Sequence, residues 1–311
     1  MGIEKIGRIG VLMGGPSSEK KISLKSGRAV LAALRDAKID AVSVIIEGDG
    51  FKENASLLKS KGIDCAFIAL HGKFGEDGGI QKILDKLKIP YTGSGVHASR
   101  LAMDKVASRN IFKKHGLCVP DFKVIHKYKE GYGFRKSKLP LVVKPALTGS
   151  SIGISVVDDY RSLPLAVKLA FKFDDRVIIE EYIKGRELTV GILDDQPLPV
   201  IEIIPKHSFF DYQAKYKYGL TDYIVPAKIP PKVAVKVKRA ASLAHKLLGC
   251  FGCSRVDIIL DSKGRPFILE VNTIPGLTAT SLLPKAAAEA GVNFVNLCIS
   301  LINAAYEKAK A

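Results

Sequence analysis

The chain has 311 residues, 47% of them apolar, enough to bury a sizeable core over two or three packed units and to exclude global disorder. Lys and Arg number 48 against 31 Asp and Glu, a net charge of +17 that suits an anionic partner, yet no basic run is longer than Val235 to Arg239, which argues against a nucleic-acid-binding arm. Five scattered cysteines give no disulfide framework, Met1 to Gly10 does not read as a secretory signal, and no apolar window approaches the roughly 20 residues of a membrane span, so a cytoplasmic protein without membrane insertion is expected.

In chain order, a short buried strand Ile9 to Met13 meets the glycine turn Gly14-Gly15-Pro16-Ser17-Ser18, and a helix with an apolar stripe at Ile22, Ala29, Val30, Ala33 and Leu34 follows. Strands near Val42 to Ile46 and Cys65 to Leu70 alternate with helices near Ala55 to Ser60 and Gly79 to Leu87, which predicts a parallel sheet. After Tyr91 to Gly95 the pattern predicts one helix from about Ser99 to Lys114, then a linker from Gly116 to Pro120. Strands at Leu141 to Lys144, Ile152 to Val157 and Val177 to Ile183 surround a helix near Leu163 to Phe173, a small α+β unit. Strands at Glu187 to Leu193 and Pro199 to Ile204 come next, then a loop with four tyrosines from His207 to Tyr223 and a helix from about Lys232 to Leu248. Strands Arg255 to Leu260 and Pro266 to Val271 flank Asp261-Ser262-Lys263-Gly264 as a hairpin. The last helix carries Phe294, Leu297, Cys298, Leu301, Ile302 and Ala305 on one face.

That hairpin carries the strongest chemistry. Arg255 and Asp257 are two apart on one strand, Glu270 and Asn272 two apart on the next, so each pair shares a face. Counting across the turn puts Asp257 opposite Glu270 or one diagonal step away, about 5–8 Å between Cβ atoms. Two carboxylates and an amide oxygen suit Mg²⁺. Ile258, Ile259, Ile268 and Leu269 are expected on the opposite, buried face. Lys144 enters the small-residue loop Pro145 to Gly153, which can turn backbone N–H groups toward a phosphate but is not a Walker loop. Glu180-Glu181-Tyr182-Ile183, closing a strand, suits an adenine, with Glu187 placed for ribose hydroxyls. Cys250-Phe251-Gly252-Cys253 reads as two packed thiols rather than half a zinc site, and His71 and His97 as loop-ordering residues.

The motifs Gly14 to Glu19, His71 to Gly78, Tyr91 to Gly95, Met103-Asp104-Lys105, Lys144 to Gly153, Asp211 to Tyr216 and Glu270 to Gly276 occur in one order over nearly the whole chain. Together they resemble the ATP-grasp superfamily and, within it, the D-alanine:D-alanine ligases. The resemblance implies a mixed α/β (α+β), three-domain fold: an N-terminal parallel-sheet substrate domain (1–98), a central ATP-grasp subdomain (99–185) and a C-terminal one (186–311) with the metal site and a mobile loop, 207–223. It implies ATP-dependent joining of two D-alanines through an acyl phosphate for peptidoglycan precursor synthesis, in a homodimer. Lys105, Lys144, Ser151, Glu180, Glu181, Ile183, Glu187 and Lys215 would surround ATP. Asp257, Glu270 and Asn272 would hold two Mg²⁺, which Mn²⁺ could replace. Glu19 would take the first substrate's ammonium, Arg255 and the Gly276 N–H the oxyanion, and Ser281 and the Leu282 N–H the second carboxylate. His71 belongs to the same substrate side. Tyr216 would hydrogen-bond toward Ser150 and Glu19 and close the site.

Two other readings remain at this point. One is an ATP-grasp ligase that joins D-alanine to D-lactate or D-serine. The other is a basic nucleic-acid-binding protein without catalysis, against which the three metal-binding oxygens stand, because they repel phosphate unless Mg²⁺ lies between.

Overall fold

The computed structural model describes residues 7–127, 138–149, 152–206 and 221–310. Ser150, Ser151, Lys215, Tyr216 and the rest of positions 207–220 lie outside the described residues. β1 (Ile9–Gly14), β2 (Ala41–Ile46) and β3 (Cys65–Ile68) form a parallel sheet in the order β2-β1-β3, connected by α1 (Lys20–Asp36) and α2 (Phe51–Ser60) and followed by α3 (Gly79–Leu87). Every residue of β1 is buried, as a central parallel strand covered on both faces must be. Alternation divides it: Ile9, Val11 and Met13 pack with Val30 and Leu34 of α1, whereas Leu12 packs with Val44, Leu58, Ile80 and Leu84.

The single helix expected over Ser99 to Lys114 is two, α4 (Val96–Met103) and α5 (Lys105–Lys114), broken at Asp104. Asp104 has extended backbone, and its Oδ1 accepts from the Val106 and Ala107 amides at 3.0 Å, which caps α5. Burial opposes charge on this carboxyl, but those amides and Arg176, donating to Oδ2 at 2.8 Å, hold its pKa below the usual range. Restarting the helix there puts Lys105 and Arg109, four residues apart and both buried, on one face.

The second sheet is antiparallel, in the order β4-β7-β5-β6, from β4 (Phe122–His126), β5 (Leu141–Pro145), β6 (Ser155–Val157) and β7 (Arg176–Glu181). α6 (Leu163–Ala170) covers it through Leu163, Ala166, Val167 and Ala170. β4 escapes the apolar pattern because Lys123 and His126 interrupt a half-exposed strand. The third sheet runs β11-β10-β8-β12-β13, with β9 beside β8, from β8 (Gly185–Leu193), β9 (Gln196–Pro197), β10 (Ile201–Pro205), β11 (Thr221–Ile224), β12 (Cys253–Asp261) and β13 (Pro266–Asn272). α7 (Pro231–Leu247) packs Val237, Ala241 and Ala244 against Leu188, Val190, Val256 and Ile258 of this sheet. α8 (Leu282–Glu289) and α9 (Phe294–Lys310) follow, and Leu297, Leu301 and Ile302 of α9 return to the cluster of β1 and α1. Among the described residues no single helix is long and apolar enough to cross a membrane.

The β12–β13 hairpin holds the irregularity that shapes the site. Arg255 faces Asn272 and Asp257 faces Glu270, but Ile258 pairs with Ile268, so Leu269 is an extra residue, a β-bulge. The bulge resets the alternation: Ile268 joins the core beside Ile258, and Glu270 shares a face with Asp257. Ile259 and Leu269 are therefore not on the buried face. Both line a chamber on the site side, Ile259 by simple alternation and Leu269 because of the bulge.

Candidate active site

Two chambers meet at the bulged hairpin. The larger, about 430 Å³, lies between the second and third sheets, and Lys144, Glu180, Glu181, Ile183, Glu187 and Asp257 are in its wall. The smaller, about 180 Å³, lies over the C-terminal ends of β1 and β3, and Glu19, His71, Arg255, Asn272, Gly276, Ser281 and Leu282 are in its wall. Lys105 and Glu270 line both. Lys105 Nζ is 3.2 Å from Glu270 Oε2 and donates to the Thr148 carbonyl at 3.0 Å, so this contact spans the third sheet and the loop after β5.

In the larger chamber one buried carboxylate serves two cations. Lys144 donates to Glu180 Oε1 at 2.7 Å, and Arg109 donates to Oε2. Burial would push the Glu180 carboxyl up, but Arg109 and Lys144 outweigh it and hold its pKa below the ordinary value. Lys144 receives only a share of that charge. Burial, then the Arg109 charge, brings its pKa down to about 8.

Asp257 is held from two sides. Arg255 forks onto it, Nε to Oδ1 at 2.8 Å and an Nη to Oδ2 at 2.7 Å, and Thr189 of β8 donates to Oδ1 at 2.7 Å. Asn272 Oδ1 accepts from the Ile274 amide at 2.9 Å, which fixes its carbonyl on this face. The donor set, two facing carboxylates and an amide oxygen, fits a hard cation such as Mg²⁺ that completes its shell with water and phosphate oxygens. Among the described residues no group of three or more His, Cys, Asp or Glu could hold a metal instead. Cys250 and Cys253 are buried, and burial pushes both thiols up to about 12, so they remain protonated packing groups.

In the smaller chamber, Glu19 sits at the start of α1, buried, its backbone amide donating to Ser17 Oγ at 3.1 Å. Gly72 has φ +73°, and a Cβ there would lie 2.7 Å from Glu19 Oε2, so only glycine leaves that carboxylate its place. His71 Nδ1 donates to the Ile274 carbonyl at 3.1 Å and Nε2 lies 3.0 Å from Ser26 Oγ, so both ring nitrogens are engaged in tying α1 to the turn after β13. His97 is exposed and lines neither chamber. Ser281 is the N-cap residue of α8, and its Oγ accepts from the Thr278 amide at 3.0 Å. A Cβ on Gly276 would lie 2.8 Å from that Oγ.

A family model described as D-ala D-ala ligase C-terminus matches residues 111–303, and one described as D-ala D-ala ligase N-terminus matches residues 50–94. A D-alanine–D-alanine ligase of Geotalea uraniireducens is 45% identical, covering 97% of this chain and 96% of the relative. The chain belongs to the D-alanine:D-alanine ligase family. Another family member, from Pelotomaculum thermopropionicum, is 46% identical over 96% of this chain and 97% of its own. Among solved structures, a Bacillus anthracis D-alanine–D-alanine ligase superposes with a TM-score of 0.87 at 38% identity, covering 97% of this chain and 98% of that one. The same organism's ligase complexed with ATP gives 0.86 at 36%, covering 98% and 99%.

Three residues of this ligase-family site are not singled out by sequence. Thr189 faces Asp257 across β8 and β12; its signal was the two-residue step from Glu187 along a strand. Glu76 lines the smaller chamber 3.6 Å from His71 Nδ1; burial pushes its carboxyl up, a bond from His71 works against that, and the Glu19 charge adds to it. Arg109 is fully buried; its signal was the turn-long spacing from Lys105 after a capping aspartate.

Proposed function

We propose that this family member joins two D-alanines into D-alanyl-D-alanine, cleaving ATP to ADP and phosphate. One observation carries it: the two chambers, one lined with the nucleotide candidates and one with the substrate candidates, are both walled by Lys105 and Glu270. ATP occupies the larger chamber, its phosphates toward Lys105 and Lys144, with Glu180, Glu181, Ile183 and Glu187 around the nucleoside. D-alanine occupies the smaller. Asp257, Glu270 and Asn272 hold Mg²⁺, or Mn²⁺, which when bound neutralises charge between phosphate oxygens.

Glu19 holds the ammonium of the first D-alanine, and an oxygen of that D-alanine's carboxylate attacks the γ-phosphorus, expelling ADP and leaving D-alanyl phosphate. The unprotonated amine of the second D-alanine attacks the acyl carbon. Arg255 and the Gly276 N–H stabilise the oxyanion of the tetrahedral intermediate. Phosphate leaves with the original carboxylate oxygen and takes the amine proton. Ser281 and the Leu282 N–H, at the positive end of α8, receive the second carboxylate. His71 keeps α1 and the turn after β13 in register. Ser150, Ser151, Lys215 and Tyr216 keep their implied roles, Ser150 and Tyr216 in closing the site against water and Ser151 and Lys215 on ATP. The three units 1–98, 99–185 and 186–311, a cytoplasmic location, a homodimer and a place in peptidoglycan precursor synthesis belong to the same proposal.

Phosphate release from ATP and Mg²⁺, with D-alanine, L-alanine and D-lactate offered singly and in pairs, tests it. D-alanine alone is expected to give phosphate and dipeptide in equal amounts. Predominant D-alanyl-D-lactate at neutral pH, or no release with D-alanine, would contradict the assignment.

A further inference from the structure

Arg109 has no place in the reaction just described, yet its side chain is fully buried where nucleotide wall and metal strand come together. Its guanidinium donates twice to the Leu269 carbonyl, Nε at 3.2 Å and an Nη at 3.0 Å, and once to Glu180, while the Phe122 ring lies 5.7 Å away. Leu269 is the bulged residue, whose carbonyl stands where the β12–β13 ladder is interrupted. Glu270 comes next in sequence. One turn earlier on α5, Lys105 makes the parallel connection, from Glu270 to the Thr148 carbonyl. Two cations of α5 thus reach from the third sheet, Arg109 to the second sheet and Lys105 to the loop after β5.

Resting on the nucleotide reading of the larger chamber, we infer that Arg109 is a positioning residue that clamps the Leu269 bulge to Glu180 and thereby holds Glu270 opposite Asp257. Without the clamp the bulge can relax into regular pairing. A one-residue slip in β13 turns Glu270 away from Asp257. Arginine is needed because its planar fork places two N–H groups on one carbonyl and a third on a carboxylate in fixed geometry, which the point charge of lysine does not reproduce.

The test is titration of Mn²⁺ in the presence of the non-hydrolysable analogue AMPPNP, followed by electron paramagnetic resonance, for the unmodified chain, Arg109→Lys and Arg109→Gln. Thermal midpoints and the KM for D-alanine are measured alongside. A folded Arg109→Lys is expected to bind Mn²⁺ about 10–100-fold more weakly, the loss typical when a group orienting a metal ligand is removed, while the KM for D-alanine stays near that of the unmodified chain. A structural loosening would move both. Unchanged Mn²⁺ affinity in folded variants overturns the inference, and so does failure of both variants to fold, which would leave Arg109 a core-stability role alone. If the unmodified chain binds no Mn²⁺ with the analogue, the nucleotide reading falls and the inference with it.

Discussion

The two chambers are built on different principles. The smaller takes its polar groups from the ends of elements: Glu19 at the start of α1, His71 and Gly72 after β3, Gly276 and Ser281 before α8. Each sits in or beside a short turn, and the His71 ring is also tied to remote partners, Ser26 and the Ile274 carbonyl. The larger is walled by two antiparallel sheets, and its charges are held by partners remote in sequence: Lys144 by Glu180, Glu180 by Arg109, Asp257 by Thr189. Short turns give local control over where a small substrate sits. Cross-sheet pairing gives collective control over charge, so a change in one partner is felt by the others.

The largest effect is expected where the chambers share a wall. Glu270→Gln removes a formal charge from both and should lower kcat at least about a hundredfold, or about 2.7 kcal/mol, with the thermal midpoint little changed. Near-normal turnover at low Mg²⁺ would separate the chambers again. Thr189→Val deletes the hydroxyl on Asp257 at nearly constant volume, and the Mg²⁺ concentration for half-maximal rate should rise about 10–100-fold. Gly276→Ala probes the smaller chamber alone. Its Cβ would lie 2.8 Å from Ser281 Oγ, so the KM for D-alanine should rise about tenfold while that for ATP holds.

The smallest effect is on pH, and in the larger chamber it should follow Lys144. Lys144 titrates near 8, so below that pH it is charged and binds phosphate. Above it nucleotide affinity should fall, by at most about tenfold per pH unit, and nucleotide binding should take up protons, measurable by calorimetry in buffers of different ionisation enthalpy. The stability effect has the opposite sign. The unfolded lysine titrates near 10.5, so between about 8 and 10.5 the unfolded chain binds more protons and stability rises with pH; below 8 the burial penalty is fully present. Lys144→Met should abolish both trends.

The same contrast governs what could be read from the amino acids. Strand and helix alternation, the glycine turns and the hairpin were visible, and Asp257 does face Glu270, but the turn alone would set Leu269 opposite Asp257, and the bulge moves the pairing on by one residue. The split at Asp104 could also have been seen, since aspartate is a capping residue, but α4 and α5 share an apolar face that reads as continuous. The bulge at Leu269 had no such mark: no glycine or proline signals it, and the side chain that bonds its carbonyl, Arg109, lies 160 positions away in the chain. Ile259 and Leu269 lie off the buried face expected for them, and nothing local sets Arg109 apart from the other cations of the chain. Contacts that join remote segments leave no period or spacing to detect.

The central claim is that a substrate carboxylate in the smaller chamber is phosphorylated from the larger. It is tested most directly with D-alanine labelled by ¹⁸O in its carboxylate, incubated with the protein, ATP and Mg²⁺, and mass analysis of the released phosphate. Transfer across the shared wall requires one ¹⁸O in each phosphate formed with dipeptide. Phosphate free of label, with dipeptide still accumulating, would contradict it.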